Sequence, residues 1–65
     1  MGVAKIIELI GESTEGWEDA VRDAVMRASV EGITGVEVLN LTANVSDGDV
    51  VEFKANVKLA FGVRQ

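Results

Sequence analysis

"SDGDVVEFKANVKLAFGV", residues 46–63, is the stretch that decides the fold. Its Asp47-Gly48 pair is among the strongest two-residue hairpin signals, because both positions of a tight type I′ turn need a positive φ. After the turn, every odd-numbered residue from Val51 to Val63 is apolar, while Glu52, Lys54, Asn56 and Lys58 alternate with them. This period of two predicts a strand over Val51–Val63 with one face buried, paired through the turn with a strand over about Val36–Val45.

Upstream of the hairpin, the sequence predicts one strand and one helix. "KIIELI", residues 5–10, is short, rich in β-branched residues and followed by Gly11, which is typical of a buried strand. Ser13 or Thr14 is a predicted N-cap, and Gly32 is predicted to end the helix. Apolar residues recur between these limits at helical spacing, as one stripe: Trp17, Val21, Ala24, Val25 and Ala28.

These elements predict an α+β fold in the order β-α-β-β, as a single domain over residues 1–65. A three-stranded antiparallel sheet wraps partly around one amphipathic helix. A helix of about four turns covers only part of one sheet face. The strand edges and the other face are therefore left to water or to other subunits.

Composition excludes several classes of function. The chain has 65 residues, a net charge of −5, only six basic residues and 5% aromatic residues, which argues against binding nucleic acid. It contains no Cys and no His, so disulfides, thiolate metal sites and imidazole catalysis are excluded. Small domains without such staples usually gain stability by oligomerisation, and 48% hydrophobic residues supply the surface for it. We therefore expect self-association.

Catalytic and metal-binding patterns are weak. Ser and Thr hydroxyls have no His to activate them, which leaves a Lys base as the one catalytic option, and we expect no enzyme. Asp47 and Asp49 resemble half of a calcium-binding loop, but the remaining ligands and the flanking helices of that motif are missing, and a hairpin turn explains the two residues better. Calcium or magnesium bound where several subunits meet stays open as an alternative. The beginning "MGVAKIIELIGES", residues 1–13, has neither a cleavage-site pattern nor the length of a membrane span, and we expect a cytoplasmic protein with no membrane partner.

The chain as a whole resembles the dodecin family. The resemblance lies in "KIIELIGEST", "EGWEDAVRDAVMRAS", "GVEV" and a strand ending "NVKLAF", and it covers about Val3 to Phe61 in the same order of elements. It implies a hollow homododecamer that stores or quenches free flavin, FMN or riboflavin, without catalysis.

The resemblance also implies where flavin would bind, at Gly35, Val36, Asn44 and Lys54. Gly35 falls where flavin-binding dodecins stack a Trp on the ring, and Lys54 falls where a Gln bonds the polar edge of the ring. Loss of the aromatic ring forfeits about 0.5–1.5 kcal/mol of stacking and roughly 1.5–3 kcal/mol of burial. Affinity for flavin is then expected to fall by about two orders of magnitude, since 1.4 kcal/mol is tenfold.

Three functions follow as hypotheses. In the first, the shell assembles but its altered site binds flavin weakly or not at all. In the second, it is a working flavin store that holds the ring by other contacts, for instance paired strand residues of two subunits across a symmetry axis. A separate hypothesis is that Lys54 compensates in part by meeting a flavin phosphate or a ring made anionic at N1. In the third, the acidic shell binds calcium or magnesium.

Overall fold

The computed structural model describes residues 3–63. Four elements follow one another: β1 (Val3–Ser13), α1 (Trp17–Arg27), β2 (Ile33–Ser46) and β3 (Asp49–Val63). The strands form one antiparallel sheet in the order β1-β3-β2, with β3 in the centre. The predicted β-α-β-β fold is confirmed, and each strand runs beyond its predicted limits by one to three residues at most of its ends.

The core lies between α1 and the central strand. The five buried hydrophobic residues are Ala20, Ala24, Ala55, Val57 and Leu59. The three from β3 are consecutive odd-numbered residues, as the alternation predicts. The side chain of Val63 lies outside the described residues, and the alternation breaks at Val51, where the pairing of β2 with β3 shifts by one residue.

Gly11 allows the helix to lie close against β1. A Cβ placed there would lie 1.9 Å from the Ala20 carbonyl oxygen and 2.9 Å from the Ala24 Cβ. Because backbone atoms cannot move aside as a side-chain tip can, only glycine fits this contact. The small residues of α1 and the bare backbone of β1 thus set the distance between the helix and the sheet.

Both ends of α1 differ from the prediction. Gly16 occupies the N-cap without a side-chain bond, while Ser13 Oγ accepts a hydrogen bond of 2.9 Å from the Glu15 N–H in the preceding turn. The helix ends at Arg27 with Ala28 as C-cap, and Ser29 follows in the left-handed region with φ 53°. The predicted caps, Ser13 or Thr14 and Gly32, are therefore wrong, because local turns at Ser13 and Ser29 define the ends.

Trp17 is not a core residue, although it begins the predicted stripe. It is 41% exposed, donates a hydrogen bond of 2.9 Å from its ring N–H to the Thr42 carbonyl, and meets the Phe53 ring edge-on at 4.9 Å between centroids. The indole therefore connects the start of α1 to the hairpin.

On the exposed side of α1, Arg22 pairs with Glu18 and Arg27 pairs with Asp23, as the i,i+4 spacing favours.

The helix covers a minor part of the sheet. Its 11 residues span about 16 Å, whereas the described chain extends 52 Å along its longest axis. The strand β1 stops pairing at Ser13 with Phe53, and beyond that point β2 and β3 continue as a two-stranded ribbon to Ser46 and Asp49. The prediction that the helix covers only part of one sheet face is confirmed.

The helix in the described part of the chain is too short and too polar to cross a membrane.

Candidate functional site

The sheet face turned away from α1, called the open face here, carries three of the four residues of the predicted flavin site, Gly35, Asn44 and Lys54. Directly paired residues of antiparallel strands point to the same side, so the register of β1 and β2 against β3 defines this face in rows. From one end to the other, its rows are Ile6–Ala60–Gly35, Glu8–Lys58–Glu37, Ile10–Asn56–Asn40, Glu12–Lys54–Thr42 and Glu52–Asn44. Four glutamates and two lysines give these rows a net charge of −2.

Gly35 lines a shallow cleft at one end of the open face. The cleft has a volume of about 240 Å³ and is lined by Ile6, Gly35, Val36, Glu37, Lys58 and Ala60. A Cβ added to Gly35 would meet the Ala60 Cβ at 4.0 Å, which is ordinary van der Waals contact. The glycine is therefore not required by packing within the chain, and a larger side chain has room here.

Lys54 lies at the other end of the open face and is held between two carboxylates. Its Nζ lies 3.7 Å from Glu12 Oε1 and 3.9 Å from Glu52 Oε1. The Asn44 side-chain amide donates a hydrogen bond of 3.0 Å to the same Glu52 oxygen. The structure thus brings together Asn44 and Lys54, two of the four predicted residues, through Glu52.

The four predicted residues do not meet within one chain. Gly35 pairs with Ala60, six residues along β3 from Lys54, a distance of about 20 Å at roughly 3.3 Å per residue. Val36 pairs with Leu59, so its side chain points to the helix side, where it is 44% exposed. Within one chain the predicted residues therefore fall into two separate groups, called the predicted half-sites here.

A second, larger cavity lies at the β1 edge. It has a volume of about 390 Å³ and is lined by Ile10, Glu12, Ser13, Thr14, Asp23, Arg27 and Glu52. The Glu12 N–H donates a hydrogen bond of 3.1 Å to Asp23 Oδ2. This bond, together with the Arg27 guanidinium, lowers the pKa of Asp23 below its ordinary value of 3.8. The Asp23 side chain thereby links α1 to β1.

Metal-binding groups are not assembled within residues 3–63: no three Asp or Glu side chains there are placed to hold one ion together. Asp47 and Asp49 flank the hairpin turn, where Asp47 and Gly48 have φ values of 51° and 82°. Two positive φ angles are those of a type I′ turn, which confirms the predicted hairpin.

Sequence reasoning did not single out Glu12 and Glu52, the carboxylates beside Lys54. Glu12 reaches Lys54 through the pairing of β1 with β3, which brings together residues far apart in the sequence. Glu52 precedes Lys54 by two positions on the same strand, and this spacing does place both on one face. The predicted alternation of polar and apolar residues along β3 therefore already indicated that Glu52 lies on the same face as Lys54.

Comparison with known proteins identifies one family. The dodecin family model, described as "Dodecin", matches residues 3–64. The calcium dodecin of Mycobacterium tuberculosis is 32% identical, with 98% of this chain and 93% of the relative covered. These matches span nearly the whole chain, so the similarity is not confined to one motif.

Solved structures agree with the sequence comparison. A dodecin from Streptomyces coelicolor superposes with a TM-score of 0.92 at 29% identity, covering 98% of this chain and 94% of that one. The crystal structure of the M. tuberculosis calcium dodecin, described as having a novel calcium-binding site, superposes with a TM-score of 0.80 at 32% identity. That match covers 95% of this chain and 91% of the calcium dodecin. The fold and the order of elements are thus shared with both.

Proposed function

This chain belongs to the dodecin family, and on that premise we propose that it is a non-enzymatic homododecameric binding protein with an altered flavin site. The family ligand is FMN or riboflavin, and this protein binds it weakly or not at all. The observation that carries the proposal is Gly35, which leaves a cleft of about 240 Å³ where the family places an aromatic ring.

The placement of the aromatic residues supports this proposal. The chain has three of them, Trp17, Phe53 and Phe61. Trp17 packs against Phe53 at the start of α1, and the register puts Phe53 and Phe61 on the helix side of β3. Within one chain, no aromatic side chain therefore lies on the open face to stack a flavin.

The exposed apolar surface supports assembly. Large hydrophobic side chains remain open on every strand, among them Ile6 and Ile10 on β1, Val36 and Leu41 on β2, and Val50 on β3, each 44–63% exposed. Leaving so many apolar side chains in water is costly, and a closed symmetric oligomer would bury them. In such a shell, the cleft at Gly35 and the Lys54 half-site would come from different subunits.

A flavin titration tests the proposal directly. Riboflavin and FMN fluorescence are followed as native protein or Gly35→Trp is added, after light scattering has established the size of both. We expect Gly35→Trp to bind flavin about 100-fold more tightly, because stacking and burial of the new ring together contribute about 2–4.5 kcal/mol. Native protein should leave flavin fluorescence unchanged at micromolar concentration.

Gly35→Ala is the matched control, since it removes the glycine without adding a ring and its Cβ has room. It should behave as the native protein does. Flavin quenching by the native protein equal to that by Gly35→Trp would show a working flavin store that grips the ring by other contacts. A monomeric native protein would refute the assembly on which the site depends.

The 32% identical calcium dodecin favours a second candidate function, calcium binding. In this protein the ligands would be carboxylates gathered from several subunits, with Asp47 and Asp49 of the exposed turn as candidates. Calorimetric titration with calcium and magnesium tests this, together with the melting temperature in a chelator. Asp47→Asn/Asp49→Asn should abolish any heat of binding, while retained calcium affinity in that variant would place the ion elsewhere.

A further inference from the structure

We propose that Glu12 and Glu52 make the flavin half-site around Lys54 select against anionic ligands, so that it prefers a neutral flavin to one carrying a phosphate. The proposal rests on the proposed function for the location of the ligand. It assigns these two glutamates as specificity-determining residues.

The contacts around Lys54 are the basis for the selectivity. Both carboxylates lie within 4 Å of the ammonium group, at 3.7 Å and 3.9 Å, so two negative charges face one positive charge. Asn44 fixes Glu52 in place by donating to the oxygen that also faces Lys54. The lysine is two-thirds shielded by its surroundings, with 33% of its side chain exposed. A phosphate approaching it therefore meets a net negative group.

The surroundings add to this effect. The rows of the open face carry a net charge of −2, and the chain carries −5. An incoming anion is repelled before it reaches Lys54, whereas a neutral ring pays no such electrostatic penalty. Since these groups are partly exposed, salt screens the repulsion, with a Debye length of about 8 Å at physiological ionic strength. The preference should thus fade as salt is raised.

The test uses the Gly35→Trp protein, in which flavin binding is measurable, and compares riboflavin with FMN at low salt. Riboflavin should bind more tightly. Adding Glu12→Gln and Glu52→Gln should tighten FMN about three- to tenfold, since each exposed ion pair contributes up to about 1 kcal/mol. The affinity for riboflavin should stay unchanged, and a further Lys54→Met should remove the gain for FMN.

The control variant carries Glu18→Gln and Glu31→Gln, which remove the same charge from exposed positions outside the rows of the open face. Equal tightening of FMN by the control would refute a local effect and assign it to total charge. Equal tightening of riboflavin by Glu12→Gln/Glu52→Gln would refute charge selectivity. If Gly35→Trp binds both flavins equally, only the selectivity fails, whereas binding of neither refutes the site itself.

Discussion

Replacing Gly11 by alanine should separate the helix from the sheet. The new Cβ would lie 1.9 Å from the Ala20 carbonyl oxygen, 2.8 Å from the Ala24 amide nitrogen and 2.9 Å from the Ala24 Cβ. Two of these three atoms belong to the helix backbone, so no rotamer change relieves the clash. The helix as a whole must move away from β1 by more than 1 Å, on the order of a third of a van der Waals contact distance.

The loss in free energy of unfolding caused by Gly11→Ala follows from the core contacts that this helix movement disrupts. Ala20 and Ala24 are the two buried residues of α1, and they face the same core as Val57 and Leu59. Overpacking a core typically costs about 1–3 kcal/mol, and a backbone clash belongs at the upper end. We therefore expect a loss of about 3 kcal/mol, or a melting temperature lower by about 12–24 °C for a domain of this size.

Urea unfolding followed by Trp17 fluorescence measures this loss. Native protein and variant must be compared at one protein concentration, because oligomer stability depends on it. Gly16→Ala is the matched control, since a Cβ at Gly16 meets nothing within 4 Å and its φ of 165° is extended backbone. Adding Ala24→Gly to Gly11→Ala should not restore stability, because the carbonyl of Ala20 remains. A Gly11→Ala protein within 0.5 kcal/mol of the native one would refute the close approach of helix and strand.

Two further outcomes follow from the contacts of α1. Trp17→Phe keeps an aromatic ring near Phe53 but loses the bond to the Thr42 carbonyl, and should lower the free energy of unfolding by about 0.5–1.5 kcal/mol, measured by urea unfolding followed by circular dichroism because the variant has no tryptophan. An unchanged midpoint would show that water replaces the indole N–H at no cost. Asp23 has a lowered pKa, because the Glu12 N–H and Arg27 favour its charged form. Its contribution to stability is then complete above the unfolded pKa of about 4 and disappears as pH falls through the lower folded value. The stability difference between native protein and Asp23→Asn should accordingly shrink between pH 5 and 2, and a difference constant over that range would contradict this assignment.

The sequence was sufficient for the hairpin and for the buried face of β3, because Asp47-Gly48 and the alternation are local signals. The register along the hairpin was not predictable in this way. Counting back from the turn would place Leu41 opposite Lys54, but the pairing shifts between Asn44 and Val45, so that Thr42 lies there instead. A shift of one residue changes which face a side chain occupies. The neighbours of Lys54 therefore depended on an irregularity that carries no clear sequence signal.

The helix ends and the division of the site escaped prediction for related reasons. Serine at a helix start is a common cap, yet here Ser13 is the last residue of β1 and bonds within the turn. Residue propensities do not predict where a strand ends when the strand paired with it continues. Likewise, Gly35 and Lys54 were predicted as parts of one site, but about 20 Å of strand separates them. Only the sheet geometry shows how far apart the two residues lie within one chain.

The two-stranded ribbon beyond Phe53 should open more readily than the three-stranded part of the sheet. There β3 has a single neighbour, and Val45, Val50 and Val51 are 46–64% exposed. An isolated pair of strands is marginal in water and opens by local unfolding. Along one strand, backbone amides should therefore exchange with deuterium slowly at Ala55–Leu59 and quickly at Asp49–Glu52. The difference in exchange rate between these two segments therefore measures how fully neighbouring molecules cover the ribbon.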